Sequence, residues 1–409
     1  VAEENEDGSK TVWMGEIDPK SSMKSMVGVT VSPGKSYLKV KAKLFNRTPF
    51  VQTFHWWANL AVAVNDAYRV IFPPDIDYVT SHYKPFVLPL RRTAGDPALA
   101  AGQEEDISWY RNVHTPASYF IFNSNYSFMG GYDYEKQRGT VHIADRHISP
   151  GKKFYTWGNG VFGDVWQKNL TDEDGPYIEI MTGVYTDNQP DFSWLLPYES
   201  KEFEQVWYGV QELPDLKNAG VDGAVSLRLE GTKAWLAFNV TANRPAARYL
   251  LRHGERILAE GRADLAPDHP FRIEVEGGEE LQWEKIFAAL YDAGGEELIS
   301  YEQKPMYFDG KEAPRAHEPA KAPADIETVE ELFLNGLHIE QYRHATREPD
   351  PYYLEGLRRD PYDIRCNTAM GRREYRRGNF ALAKEYLEKA VKRSVSRNPN
   401  PYDGEPCYQ

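Results

Sequence analysis

Apolar and polar residues alternate with period two through most of the first 210 positions. In "MVGVTVSPGKSYLKVKAKLFNRTP", Val27 to Val31 reads as a strand and Pro33-Gly34 as a turn. Tyr37 to Leu44 then returns, with apolar residues inward and lysines outward, so the segment predicts a hairpin. "HISPGKKFYTWG" at 147–158 repeats the grammar, with Pro150-Gly151 ahead of an aromatic strand. Helical periods are nearly absent over residues 1–210, so the economical architecture is a large antiparallel β-sandwich, its acidic start "AEENEDGSK" frayed. From 218 to 307 short strands such as "GAVSLRLEG", "KAWLAFNVTA" and "HPFRIEVEGG" recur at regular intervals, which suits a small immunoglobulin-like β-sandwich. Residues 308–325, rich in Pro, Ala and charge, read as a linker.

The period then changes to 3.6. Over 326–409, Val329, Leu332, Phe333, Leu337 and Tyr342 share one helix face. Further on, Gly371, Gly378, Asn379, Phe380, Ala383, Leu387 and Ala390 fall at the small and large positions of a tetratricopeptide repeat. Residues 361–394 are therefore expected to form an antiparallel helix pair, turning at Gly378-Asn379 and lined by Ala369, Ala383, Leu387 and Ala390. One repeat cannot bury its own faces. The chain starts at Val1 without Met and stops at Gln409 in what reads as a new helix, so it is expected to be part of a longer protein.

Composition narrows the function classes. A formal net charge of −13 argues against a nucleic-acid partner, and the one basic run, "RREYRRG" at 372–378, reads as a helix face. No apolar run approaches the roughly 20 residues that span a bilayer, and no signal-peptide pattern stands at the start of the sequence. The two cysteines, Cys366 and Cys407, have no metal spacing; a reduced, cytoplasmic protein is the expectation. No phosphate loop, zinc signature or nucleophile elbow occurs, so neither metal nor cofactor is expected.

Candidate chemistry gathers in "YIEIMTGVYTDNQPDFSWLLPYES", Tyr177 to Ser200. Glu179 sits in a strand between Ile178 and Ile180, where an acid costs stability unless it is solvated or paired; it either faces water or lines a site. Aromatic residues make up 13% of the chain and crowd its first half, and flat rings stack on the C–H faces of sugars while Asn, Asp and Arg hold hydroxyls. Candidate binding residues are Trp56, Trp57, Asn59, Arg146, His147, Trp157, Asp187, Asn188, Asp191 and Trp194, with Trp157, beside loop glycines, the better platform. Large sandwiches also need bulky core residues. His55 beside two Trp could equally be a core histidine, and Arg146-His147 an exposed loop.

The segment "VQTFHWWANL" adds a resemblance. Thr53, His55, Trp57, Asn59 and Leu60 are similar to the Thr-x-His-x-aromatic-aromatic-Asn-Leu motif of the galactose mutarotase (aldose 1-epimerase) family, with Ala58 at the second aromatic position. Glu179, Asn188, Pro190 and Asp191 match its later glutamate strand and turn, and Pro197-Tyr198-Glu199 its closing turn, with Tyr where Gly is usual. Nearly the whole chain resembles bacterial proteins that fuse a mutarotase-like domain of unknown function to tetratricopeptide repeats. The resemblance implies Glu179 as base and His55 as acid at the anomeric centre of a mono- or oligosaccharide, by epimerisation or glycoside hydrolysis. The alternative it leaves open is a non-catalytic carbohydrate-binding scaffold whose repeats recruit a protein partner.

Overall fold

A computed structural model describes residues 1–19, 21–81, 87–92, 105–121, 123–184, 193–307, 319–341 and 346–409. The chain is mainly β, in several sheets, with a helical C-terminal region. The predicted first hairpin is present. Lys24–Val31 pairs antiparallel with Tyr37–Phe45, Val40, Ala42 and Leu44 are buried, and Gly34 takes φ +68° at the turn. This hairpin lies within an eight-stranded sheet ordered Ala2–Glu4, Lys10–Ile17, Lys24–Val31, Tyr37–Phe45, Ser200–Gln211, Arg138–Ala144, Phe128–Asp133 and Tyr68–Ile71. A six-stranded sheet runs Trp57–Ala63, Tyr177–Gly183, Gly151–Thr156, Ala117–Phe120, Tyr78–Ser81 and Val87–Pro89.

The two sheets stack. Val70 and Met129 of the larger share a buried cluster with Val79, Phe154, Ile178 and Ile180 of the smaller. A polar layer also lies between them: His142 Nε2 contacts Gln205 Oε1 at 2.8 Å and Thr182 Oγ1 at 2.9 Å. Next to it Lys152 is fully buried, its ammonium without a hydrogen-bond partner among the described residues. Burial pushes the Lys152 pKa down to about 8 and that of His142 down to about 4.

One helix interrupts the predicted all-β region. Helix α1, Val161–Thr171, was not expected, although Val161, Phe162, Val165, Trp166 and Leu170 have helical spacing; these residues are exposed while Gly163 and Gln167 are buried. Gln167 Nε2 donates to the Tyr110 hydroxyl and the Gly158 carbonyl, so the buried face is polar and small.

Residues 216–302 form a second two-sheet sandwich. One sheet is ordered Leu216–Ala219, Gly223–Glu230, Lys233–Val240, Phe271–Glu276, and the other Arg256–Leu265, Arg244–His253, Ile286–Tyr291, Glu297–Glu302. It shares one hydrophobic cluster with the large sheet, in which Ile71, Phe128, Tyr132, Val206, Tyr208 and Val210 meet Leu216, Val225, Leu251 and Ile286. The described residues up to 184 and from 193 to 307 accordingly belong to a single compact unit.

The helices form a second unit. Helix α2 is Val329–Gln341, α3 Asp350–Arg359, α4 Ile364–Arg376 and α5 Phe380–Ser394. Asp363 caps α4 by accepting from the Cys366 amide at 2.8 Å, and Gly378, at φ +82°, provides the turn before α5. A Cβ at Gly371 would lie 2.6 Å from Leu387, and one at Gly336 would lie 2.6 Å from the Tyr353 ring, so both helix contacts require glycine. The basic run is paired with acids: Arg372 with Glu340 at 3.2 Å, and Arg373 and Arg377 with Asp350, both at 2.6 Å. No helix among the described residues is long and apolar enough to cross a membrane. Tyr342 and residues 308–318 of the expected linker lie outside the described residues.

Candidate functional site

Glu179 is on the face of the six-stranded sheet opposite to the core. Its neighbours Ile178 and Ile180 point into the sandwich, so strand alternation turns Tyr177, Glu179, Met181 and Gly183 the other way. Register then fixes the rest of this face. Glu179 lies between Ala61 and Tyr155, Met181 lies between Asn59 and Lys153, and Phe120 stands beyond Lys153. Gly183 pairs with Trp57, and the indole covers its α-carbon so closely that a Cβ there would sit 2.6 Å from the ring.

Polar contacts connect these groups. Asn59 Nδ2 donates to Glu179 Oε2 at 2.7 Å, orienting the half-exposed carboxylate. Two residues earlier on the same strand, Trp57 Nε1 donates to His55 Nε2 at 3.0 Å. An indole can only donate, so this bond places the neutral imidazole's proton on Nδ1. Burial, with the Lys153 charge second, lowers the His55 pKa below its ordinary value. The Lys153 ammonium is 4.1 Å from the Trp57 ring centroid and 4.8 Å from that of Phe120, between two electron-rich faces. A carboxylate, an amide and a buried ammonium therefore share one face of three adjacent strands, and the His55 imidazole joins them from the segment just before Trp57.

The other end of this face is aromatic. Trp157 Nε1 donates to the Tyr177 hydroxyl at 3.2 Å, Tyr155 meets Trp157 edge-on at 5.2 Å, and Trp166 of α1 stacks on Trp157 at 4.9 Å and 12°. Trp157 therefore belongs to a ring cluster and is not a lone platform. The turn carrying Arg146 and His147 precedes Gly151, which pairs with Gly183, so it lies at the Trp57 end of the sheet. Its backbone is tied down by Ser127 Oγ and Asp145 Oδ1.

Two Trp candidates are placed differently. Trp56 packs edge-on against Phe203 at 5.3 Å, beside a small core of Ala42, Leu44 and Leu195, and so serves packing. Trp194 is partly exposed, on a two-stranded sheet whose other strand, Gln52–Phe54, leads directly into His55. Asp187, Asn188 and Asp191 lie outside the described residues. Residue-by-residue reading missed Lys153 and Tyr155. Both follow once "GKKFYTW" is set in register against Glu179, because Lys153 and Tyr155 share the parity of Trp157.

Comparison with known proteins adds the following. Residues 1–210 match the family model described as a domain of unknown function (DUF5107), and residues 218–301 match that of the YphG-like protein, second domain. Among solved structures the chain is similar to a TPR-domain containing protein from Parabacteroides distasonis, with 17% identity and TM-score 0.46 over 94% of this chain and 57% of that one. It is similar to the Slr1438 protein from Synechocystis, with 7% identity and TM-score 0.38 over 52% of this chain and 65% of that one. A galactose mutarotase-like protein from Clostridium acetobutylicum aligns with 11% identity and TM-score 0.34 over 52% of this chain and 65% of that one. The chain thus spans less than two thirds of the length of each of these structures.

Proposed function

We propose, for a chain that belongs to the DUF5107 family, that the open face around Glu179 binds a carbohydrate and acts at its anomeric centre. The observation that carries this reading is the Glu179–Asn59 pair on the same sheet face as Trp57 and Lys153, with His55 bonded to Trp57. Glu179 takes the proton of the anomeric hydroxyl, the bond from C1 to the ring oxygen breaks, and the ring oxygen receives a proton from the His55–Lys153 end. Rotation of the open aldehyde and reclosure from its other face give the second anomer, with both protons returned. A neutral His55 donates through Nδ1, so Lys153 is the stronger acid of the two. On a glycoside the same pair would serve bond cleavage. No cofactor is needed for either reaction.

The test is calorimetry with mono- and oligosaccharides, paired with anomeric exchange followed by NMR. Glu179→Gln should retain binding and lose roughly 10²–10⁴ in exchange rate. Full activity in that variant would assign the base elsewhere, and absence of binding to any sugar would refute the carbohydrate reading.

A second reading concerns the helical unit. Helices α2 to α5 are read as two tetratricopeptide-like hairpins. Gly336 and Gly371 lie 35 positions apart and Tyr353 and Leu387 lie 34 apart, close to that repeat's period of about 34, and each glycine meets its large partner in the same way. Tyr375, Phe380, Leu387 and Val391 line an apolar groove of about 530 Å³ that suits a protein segment. Sugar binding without turnover would favour this scaffold reading for the whole chain. The sandwich at 216–302 is read as immunoglobulin-like in its two facing antiparallel sheets, although its first three strands are sequential neighbours in one sheet, unlike the immunoglobulin order.

A further inference from the structure

A cleft of about 270 Å³ opens where the two sandwiches meet, far in sequence from Glu179. One wall carries Arg69 and Arg91, the other Lys217 and Trp283. The arginines are positioned in advance. Arg69 donates to Ser108 Oγ at 2.9 Å and to Asp106 Oδ2 at 3.0 Å, and Arg91 shares that same carboxylate at 3.4 Å. Two guanidinium groups thus share one acid.

Lys217 faces them from a break in its strand. The pairing of Leu216–Ala219 with Gly223–Glu230 jumps from Leu216↔Ser226 to Asn218↔Val225, which leaves Lys217 as the extra residue of a β-bulge. Bulges re-aim side chains, and this one points its ammonium into the cleft, 4.6 Å from the Trp283 ring centroid. Among the described residues Lys217 makes no ion pair within 4.0 Å. Burial lowers its pKa; Asp215 opposes that shift, and Arg91 and Arg69 add to it. Lys217 thus adds a third cation to a cleft whose two guanidinium groups share one carboxylate, and over the Trp283 ring this leaves room for one anionic group. Asp77 and Asp215 also line the cleft; they restrict the occupant to one compact anionic group and suit hydroxyls beside it.

We propose that this cleft binds a small hydroxylated compound bearing a single carboxylate or phosphate, with Lys217 and Arg91 on the anionic oxygens and Trp283 under its body. The site is separate from the Glu179 face and does not depend on the reading given to that face.

The experiment is a titration of the intact chain with glucuronate, glucose 6-phosphate, inorganic phosphate and glucose, read by calorimetry and by indole fluorescence. Saturable binding of at least one anion is expected. Lys217→Met, whose stem still covers Trp283, should weaken it tenfold or more, while Lys217→Arg should stay within a few-fold of the parent. Preference for glucuronate identifies a carboxylate ligand, and preference for either phosphate compound a phosphoryl one. Should Lys217→Met fail to fold, Arg91→Gln at the exposed rim should weaken binding several-fold. The proposal is overturned if no anion binds saturably, if glucose binds as tightly as the anions at this site, or if the substitutions leave affinity unchanged.

Discussion

Two adjacent lysines show how far single residues can be read. Period two assigns Lys152 and Lys153 to opposite faces, and so it places one of them in the core, which composition alone would never suggest. The structure places Lys152 there, fully buried, and Lys153 on the candidate face between Trp57 and Phe120. Glu179 was legible for the same reason, because Ile178 and Ile180 fix the inward parity. The His55–Trp57 bond was not legible, since it forms where the chain leaves one strand for the next and alternation no longer applies. Lys152 has a measurable cost. The unfolded chain holds that proton to the ordinary 10.5 and the folded chain releases it at about 8, so between these values the unfolded state binds more protons and stability rises with pH. The rise is on the order of 3 kcal/mol. Lys152→Met should raise Tm by a few degrees at pH 7 and abolish the increase between pH 8 and 10, measured by calorimetry across that range.

At the scale of elements, Pro33-Gly34 announced the hairpin around it, whereas the second Pro-Gly marks only the start of a strand: the chain turns at 146–148 and Gly151 already pairs with Gly183. Helix α1 gave no such signal. Its apolar residues are spaced for a helix but point outward, and what it buries is Gly163 and Gln167. A Cβ on Gly163 would collide with the Gly158 carbonyl, so the helix can approach the sheet only with glycine there. Gly163→Ala should therefore cost roughly 1–3 kcal/mol, the range for forcing extra atoms into a packed contact. It should also separate the stacked Trp157–Trp166 pair. Near-ultraviolet circular dichroism would report loss of that coupling, and an unchanged spectrum with unchanged stability would contradict the packing argument. The α4–α5 pair and its Gly378-Asn379 turn were legible from small residues at helical spacing; of the four residues expected to line its groove, Ala383 and Leu387 do so, while Ala369 packs with Tyr353 and Cys366.

At the scale of the molecule, the change of pattern near residue 218 looks like a boundary, yet the core crosses it. Tyr208 donates through its hydroxyl to the carbonyls of Gly220 and Gly223, Gln211 N donates to Asn239 Oδ1, and Tyr126 reaches the Glu302 carbonyl. Period analysis sees strands and turns; it does not see which sheets share a core. A chain cut at 210 should expose Ile71, Tyr132, Tyr208 and Val210 together and aggregate, whereas residues 1–307 should unfold in one cooperative transition by calorimetry. Two separate transitions within 1–307 would show that the shared cluster contributes little. The joint also has a consequence for ancestry. Because Ile71, Phe128, Tyr132 and Tyr208 are fitted to Leu216, Val225, Leu251 and Ile286, the two sandwiches cannot be exchanged between relatives as interchangeable cassettes. Their facing surfaces should therefore drift in step, each change on one side met by a change on the other, so that lineages keep the pair as one inherited block.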